Sequence, residues 1–292
     1  MNRKKKQNQL FNMVLFTIFS AIILLMSLVP NIGYIMVGPI AITIVHIPVL
    51  IGIMVLPIVY SIGLGLVFGL GSLLASYLYA SQLGNLAFQN PLISVLPRVL
   101  FALFAFLIFF GLRKLQKVKH GDTIIFTLVS VITMVFLYFG ANALSQMLVT
   151  DFTSEGYPFD PIKKLKILTI AAPIFMVVGG LLIGGYYLML KSDKLKNDIS
   201  IPTSVMVGTL IHTVLVIAAL SIFKNGLEGF IPLLQVLFAT NGFIEIILAV
   251  IVAPPIALAI RAAFPDRMPE DLITKSIRRK KELDNDSTIW CR

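Results

Sequence analysis

Cysteine, charge and the short motifs of common enzymes are all scarce in this sequence. Its 292 residues include one cysteine, Cys291, which excludes a disulfide framework and a cysteine-based metal site. Charged residues make up 13% of the chain, whereas a soluble domain has about a quarter. The HExxH, GxSxG and Walker motifs are missing. We therefore expect neither an enzyme nor a chain that uses ATP by itself.

What the chain has instead is apolar sequence in long blocks. Hydrophobic residues make up 58% of it, and its mean hydropathy is +0.93. Several blocks reach the roughly 20 residues that a helix needs to cross a bilayer. The blocks are continuous, whereas the strands of a membrane barrel alternate apolar and polar residues. The sequence predicts an all-α integral membrane protein, a polytopic helical bundle.

Prolines divide the apolar sequence into eight predicted spans. A proline lacks the amide hydrogen that continues a helix, so helices tend to end near it. The first apolar run is long for a signal peptide, and no small-residue cleavage site follows it, so we interpret it as a span. The predicted spans are 10–29, 39–56, 58–80, 95–112, 123–149, 167–190, 202–223 and 238–260.

The basic residues predict the orientation of the bundle. The net charge is +10, and most of the 24 lysines and arginines fall in the N-terminal cluster, in two loops and in the C-terminal tail. The positive-inside rule assigns these segments, and so both termini, to the cytoplasm. It also explains the basic charge without a nucleic-acid partner. The basic KKLK before the sixth span is an exception, because it falls on the outer side.

Ionisable side chains within a span are candidates for function, because burying one in a bilayer costs roughly 2.5–3.5 kcal/mol. Those in the predicted spans are His46, Arg98, His212 and Glu245, accompanied by Asn90, Thr209 and Asn241. His46 and His212 fall in the middle of their spans, and Glu245 near an outer end. Thr209 and His212 share a helix face, as do Asn241 and Glu245. We expect these groups to converge on a pocket that opens outward and binds a small polar molecule.

Each of these groups also has a structural interpretation. Arg98 and Glu245 pair with each other and fix helix packing in one alternative. His46, two residues before Pro48, satisfies a carbonyl that the proline leaves free in another. Two histidines and Glu245 are also metal-ligand types, but no HxxxH-type spacing supports a site, so we expect no metal.

Small residues predict where helices approach closely. Gly65 and Gly69 have the GxxxG spacing, as do Gly180 and Gly184. Glycines at this spacing let membrane helices meet at backbone distance. We therefore predict helix packing at both pairs.

Five segments carry a resemblance to a known family. They are GPIAITIVHIPVLIG, GLGLVFGLGSLL, NPLISVLPRVLF, GTLIHTVLVI and NGFIEIILAVIVAPPI. In this order they resemble the S components of energy-coupling factor (ECF) transporters, the substrate-binding membrane subunits of prokaryotic vitamin importers. The resemblance covers about 36–113 and 203–261.

The resemblance implies a function in the prokaryotic cell membrane. An S component captures a water-soluble vitamin or its precursor at the outer face, and it works with a membrane T component and two ATPases that use the ATP. The chain itself then needs no cofactor. Family substrate contacts come from the loop after the first helix and from later helices, which implicates Asn90, Arg98, Thr209, His212, Asn241 and Glu245. Arg98 and the two histidines favour a substrate with a carboxylate, such as pantothenate.

The chain also departs from the family. S components usually have six helices, so we expect a core over about 8–113 and 202–261, an inserted helical pair over about 120–200 and a basic tail over 262–292. His212 stands where the family motif has asparagine. The family's first helix contacts the T component through AxxxA, for which Thr17 and Ala21 are the nearest match here.

Other functions remain open from the sequence. The main alternative is a stand-alone secondary transporter of a small polar solute, in which Glu245 or His46 carries a coupled proton. A lipid-modifying enzyme would need a catalytic cluster that the sequence does not display. In a structural protein the polar pairs would only hold helices together.

Overall fold

A computed structural model describes the greater part of the chain. The described residues are 3–29, 32–37, 40–79, 86–151, 198–225 and 243–265, with 169, 173, 176–177, 179–181, 183–188 and 191 between them.

Helices form most of the described fold. They are α1 (Arg3–Leu28), α2 (His46–Val55), α3 (Ile58–Leu78), α4 (Pro91–Ser94), α5 (Leu96–Gln116), α6 (Gly121–Asp151), α7 (Ser200–Leu220) and α8 (Phe243–Ala263). A 3-10 turn, Leu86–Gln89, precedes α4, and a π-helical turn, Ser221–Asn225, continues α7. Two short strands, β1 (Tyr34–Val37) and β2 (Ile40–Thr43), lie between α1 and α2.

Five helical stretches of the described chain are long and apolar enough to cross a bilayer. They are Lys6–Leu28, Ile58–Leu78, Pro91–Gln116, Ser200–Phe223 and Ile244–Ala263. Each has at least 20 residues, the length that a helix needs to span the hydrocarbon core. The protein is therefore a multi-pass helical membrane protein, as the composition predicts. The fifth predicted span falls on α6, and the sixth is described only in separate short stretches between 169 and 188.

The second predicted span, 39–56, is wrong as a single helix. Its first part belongs to an antiparallel hairpin in which Tyr34 pairs with Thr43 and Val37 with Ile40. Its second part is α2, whose ten residues reach only about 15 Å, half of the hydrocarbon thickness. Every residue of α2 is buried. A short apolar run gives the same pattern whether it is a strand or a buried helix, which explains the error.

Six of the described helices pack around a common core. α5 packs between α3 and α7, α8 packs on α7 and α2, and α1 lies against α3. Buried residues of α2 contribute much of the core, together with Phe68, Phe101 and Phe109. α6 contacts α5 and, to a smaller extent, α7. The short, fully buried α2 therefore sits at the centre, and α6 lies at the side.

The two glycine pairs differ in their surroundings. A Cβ added at Gly65 would lie 2.6 Å from Ala102 Cβ and 2.7 Å from the carbonyl oxygen of Arg98. One added at Gly69 would lie 2.8 Å from Val95 Cα. α3 and α5 thus meet at backbone distance, which positions Arg98 against α3. At Gly180 and Gly184 an added Cβ would meet nothing within 4 Å, so the described structure has no close helix contact at that pair.

Candidate functional site

Three titratable side chains from three different helices meet inside the bundle. His46, His212 and Glu245 each offer a nitrogen or oxygen atom, and these atoms lie within 4.8 Å of one another. All three side chains are buried, with exposed fractions of 0%, 4% and 3%. Thr209 lies beside them. We refer to His46, Thr209, His212 and Glu245 as the central cluster.

His46 is the first residue of α2 rather than the middle of a span. Its Nε2 lies 3.3 Å from Thr209 Oγ1, and the main chain of Thr43 also interacts with its imidazole. The carbonyl that Pro48 leaves free is that of Ile44, and it accepts a hydrogen bond from the amide of Ile47 at 3.1 Å. His46 is therefore not needed to satisfy that carbonyl.

His212 lies among aromatic rings. Its imidazole stacks on that of His46 with a centroid distance of 5.2 Å and an angle of 10° between the planes. The rings of Phe68 and Phe101 lie 5.5 Å and 5.1 Å away. Neither ring nitrogen of His212 has a hydrogen-bond partner among the described residues. Thr209, one turn earlier on α7, faces the same neighbour, His46, as the spacing of the pair predicts.

Glu245 lies in the first turn of α8, where the helix dipole favours a negative charge. Its Oε1 accepts a hydrogen bond from the backbone amide of Thr43 at 2.6 Å. Thr43 is the last residue of the hairpin. This bond therefore ties the segment after the first helix to the start of the last one, beside the central cluster.

Arg98 is buried next to the central cluster and does not pair with Glu245 in the described structure. Its Nη1 donates to the carbonyl oxygen of Ile93 at 2.6 Å. Its guanidinium lies 5.6 Å from the ring centre of Phe68 and 5.0 Å from that of Phe88, within the range of cation–π attraction. It also interacts electrostatically with His212. The ion-pair interpretation of Arg98 and Glu245 is therefore wrong.

Tyr34 of β1 supplies the other polar neighbour of Arg98. The residue as a whole is half-buried, and its hydroxyl is buried. Burial raises the pKa of Tyr34, and the positive charge of Arg98 partly offsets that rise. The open end of the hairpin thus approaches the site, with Tyr34 near Arg98 and Thr43 against Glu245.

The remaining predicted residues lie elsewhere. Asn90 is exposed, and its side chain caps α4 by accepting a hydrogen bond from the amide of Leu92 at 3.0 Å. Asn241 lies outside the described residues. Thr17 and Ala21 are exposed on α1, so within this chain they contact no closely packed helix that the structure describes.

Sequence reasoning missed Thr43, Phe68 and Phe101. Thr43 acts through its backbone amide, which every residue except proline has, so its identity carries no signal. Phe68 and Phe101 lie in apolar blocks where an aromatic side chain is ordinary. The sequence predicts no metal site because His46, His212 and Glu245 do not have the short spacing of a metal-binding motif. The fold nevertheless brings these three residues together from distant positions in the chain.

No model of a protein family matches the chain, and no curated protein matches it. The site therefore has to be interpreted from its geometry and from the short motifs of the sequence. Two imidazoles, one carboxylate and one hydroxyl lie together between aromatic rings, with a guanidinium beside them. A few polar groups placed among apolar side chains are typical of a binding site for a small polar ligand.

Proposed function

We propose that the chain is the substrate-capture subunit of an ECF-type importer in a prokaryotic cell membrane. It binds a small water-soluble vitamin or precursor at the outer face and delivers it inward with a T component and two ATPases. The contact that carries this proposal is the hydrogen bond from Thr43 to Glu245. It joins the loop after the first helix to a late helix, the two regions from which S components contact their substrates.

The arrangement of the helices supports the proposal. α1, α2, α3, α5, α7 and α8 pack around one core and provide the six helices of an S component. The proposal assigns them to the core at about 8–113 and 202–261. α6 belongs to the inserted pair at about 120–200, and residues 262–292 are the cytoplasmic tail.

The proposed topology has both termini in the cytoplasm and eight crossings. The second crossing then combines β2 with α2, because α2 alone is too short. Four extended residues and ten helical ones reach about 28 Å together, close to the thickness of the hydrocarbon core. Backbone that is not helical is tolerated at membrane depth only where its polar groups are satisfied within the protein, and β2 pairs with β1 in the hairpin.

Arg98 supports a substrate that bears a carboxylate, such as pantothenate. It is a buried cation, 4% exposed, with no carboxylate partner among the described residues. Its Nε has no hydrogen-bond partner there either. Because a guanidinium pairs with a carboxylate through two parallel hydrogen bonds, a carboxylate solute would satisfy both the charge and the free donor.

Purification of the tagged protein from its own membranes in mild detergent tests the proposal. We expect two ABC-type ATPases and a second membrane protein to co-purify, as identified by mass spectrometry. Ala21→Leu should reduce their recovery, because this exposed residue lies on the face proposed to contact the T component. Ala259→Leu is the matched control, since Ala259 is exposed on α8. Reproducible purification without ATPases would contradict the proposal.

The burial of Glu245 favours one second candidate, a proton-coupled secondary transporter. Intramembrane acids of such proteins relay protons, and Glu245 is 3% exposed beside two imidazoles. This candidate predicts that the chain alone takes up a solute into vesicles under a proton gradient without ATP. Uptake by the chain alone and the absence of ATPases would together favour it.

A further inference from the structure

We propose that His46, His212 and Glu245 form a binding site for one divalent transition-metal ion of the zinc, cobalt or nickel type. The three ligand atoms lie within 4.8 Å of one another. Zinc lies about 2.0–2.2 Å from nitrogen and oxygen ligands. Each atom therefore has to move inward by less than about 1 Å to reach an ion placed between them. The two imidazoles, whose planes are now only 10° apart, also have to tilt so that a nitrogen of each points at the ion.

His212 gives an independent reason to expect a ligand at this position. A neutral imidazole has one donor and one acceptor nitrogen, and neither finds a partner in the described part of the chain. His212 is only 4% exposed. Leaving a buried polar group without a partner lowers the stability of the fold. An ion bound to one of these nitrogens would remove part of that cost.

His46 and Glu245 each have a polar neighbour of the kind that orients metal ligands in proteins. Residues that bind a metal are usually oriented by hydrogen bonds from groups outside the coordination shell. Thr209 contacts the imidazole of His46, and the amide of Thr43 holds Oε1 of Glu245. Oε2 of Glu245 accepts no hydrogen bond from the described residues, so it remains available to an ion.

The charges restrict which ion fits. One carboxylate balances only part of a double positive charge, and Arg98 adds a repulsion through its interaction with His212. The ion must therefore bind imidazole strongly, as zinc, cobalt and nickel do. Magnesium and calcium prefer oxygen ligands and do not fit a site with two nitrogens.

Three protein ligands leave one position of a tetrahedral ion open. The positive charge of Arg98 favours an anionic group at that position. The open position acquires a role only if the proposed function holds: a carboxylate of the captured solute would then bind the ion directly. The metal site itself rests on geometry and does not depend on the transport assignment.

Cobalt binding to the full-length protein tests the site. The protein should carry a tag without histidines, be stripped with a chelator and be titrated with Co²⁺ in detergent. We expect one equivalent to bind with the intense visible absorption of a four-coordinate ion, and Zn²⁺ to displace it. Absence of Co²⁺ binding by the wild-type protein, or a spectrum of an ion bound only by oxygen, would overturn the proposal.

Three variants assign the ligands. His212→Asn and Glu245→Gln should weaken Co²⁺ binding at least tenfold, because each removes a ligand and keeps a side chain of similar size. His120→Asn is the control, since His120 is exposed in a turn with a positive φ of 64°, which asparagine tolerates. Unchanged binding by His212→Asn and Glu245→Gln, or loss in His120→Asn, would show that the ion binds elsewhere.

One measurement remains valid if the variants fail to fold. X-ray absorption of the Zn²⁺-loaded wild-type protein should show two imidazole ligands at about 2.0 Å, and a spectrum without imidazole would refute the site. The two proposals also fail separately. Co-purified ATPases with no metal binding would contradict only the metal site, whereas metal binding without ATPases would contradict only the importer.

Discussion

The bundle contains two sets of buried charged side chains, one near each end of α8. The two sets differ in how their charges are compensated. At one end lie the central cluster and Arg98. At the other lie Arg113, Asp198 and Arg261, which we call the basal cluster. Glu245 and Arg261 are in the first and last turns of α8, about 24 Å apart along the helix.

The basal cluster contains its own counter-charge. Burial raises the pKa of Asp198, and the charges of Arg261 and Arg113 partly offset that rise. Both guanidiniums also lie over the ring of Phe109, at 5.6 Å and 5.8 Å from its centre. Arg261 is completely buried. The residues of this cluster therefore interact with one another and fix α5, the start of α7 and the end of α8 together.

The central cluster is not balanced in the same way. Arg98 has aromatic rings and Tyr34 around it, and no carboxylate partner among the described residues. His212 has ring neighbours and no hydrogen bond in that part of the chain. The difference indicates that the basal cluster holds the fold together, whereas the central cluster has polar groups left to bind a ligand.

Arg261→Ala should produce the largest loss of stability. It removes a buried cation and leaves Asp198 with less compensation, and breaking a buried charge pair costs about 3–5 kcal/mol. We expect the melting temperature in detergent to fall by roughly 6–12 °C, as followed by intrinsic fluorescence. Lys114→Ala, an exposed change next to Arg113 on α5, is the control and should have little effect. An equally stable Arg261→Ala would show that the basal cluster is dispensable.

Arg98→Ala should lower the affinity for substrate and have less effect on stability than Arg261→Ala. Because Arg98 lacks a carboxylate partner in the described structure, its loss leaves no buried anion behind. Truncating one member of a buried, hydrogen-bonded charge pair costs about 2–5 kcal/mol of binding, so affinity for a carboxylate-bearing substrate should fall at least 30-fold. Equilibrium binding to the purified protein measures this. Arg98→Lys keeps the positive charge but not the planar guanidinium that donates two parallel hydrogen bonds, so it should recover part of the affinity. Unchanged affinity in Arg98→Ala would remove Arg98 from the site.

Much of the architecture follows from apolar block length. The five long spans fall on predicted spans, because a bilayer fixes how much apolar sequence a helix needs. Pro91–Gln116 extends beyond the predicted 95–112 at both ends, and the predicted start of the last span, 238, lies outside the described residues. The hairpin and α2 were missed, because a short apolar run has the same sequence pattern as a strand or as a buried helix.

Sequence reasoning identified residues that the structure brings together, but it did not identify their contacts. The energetic penalty for placing ionisable groups in a membrane singled out His46, Arg98, His212 and Glu245, and the structure brings all four into one region. The energetic cost of an ionisable side chain in a membrane does not indicate which of these side chains contact one another. It left open an Arg98–Glu245 pair that does not form, and local spacing gave no sign of the three metal-type ligands, since they come from separate helices.

Substitutions of Thr43 should give the smallest effects, and they test whether the central cluster serves ligand binding rather than stability. Its backbone amide, rather than its side chain, holds Glu245. Thr43→Val keeps the amide and should change substrate affinity only slightly, since the Thr43 hydroxyl makes no hydrogen bond to the described residues whereas the amide binds Glu245. Thr43→Pro removes the amide hydrogen, and the end of a two-stranded hairpin tolerates proline.

We expect about a tenfold loss of affinity in Thr43→Pro, because a hydrogen bond to a charged group contributes about 1.5–3 kcal/mol and water replaces part of it. The melting temperature should change much less than in Arg261→Ala, since the basal cluster is untouched. Binding and thermal unfolding measured on the same preparations separate the two effects. If Thr43→Val and Thr43→Pro bind alike, the hairpin does not position Glu245, and the central cluster has to be held by the helices alone.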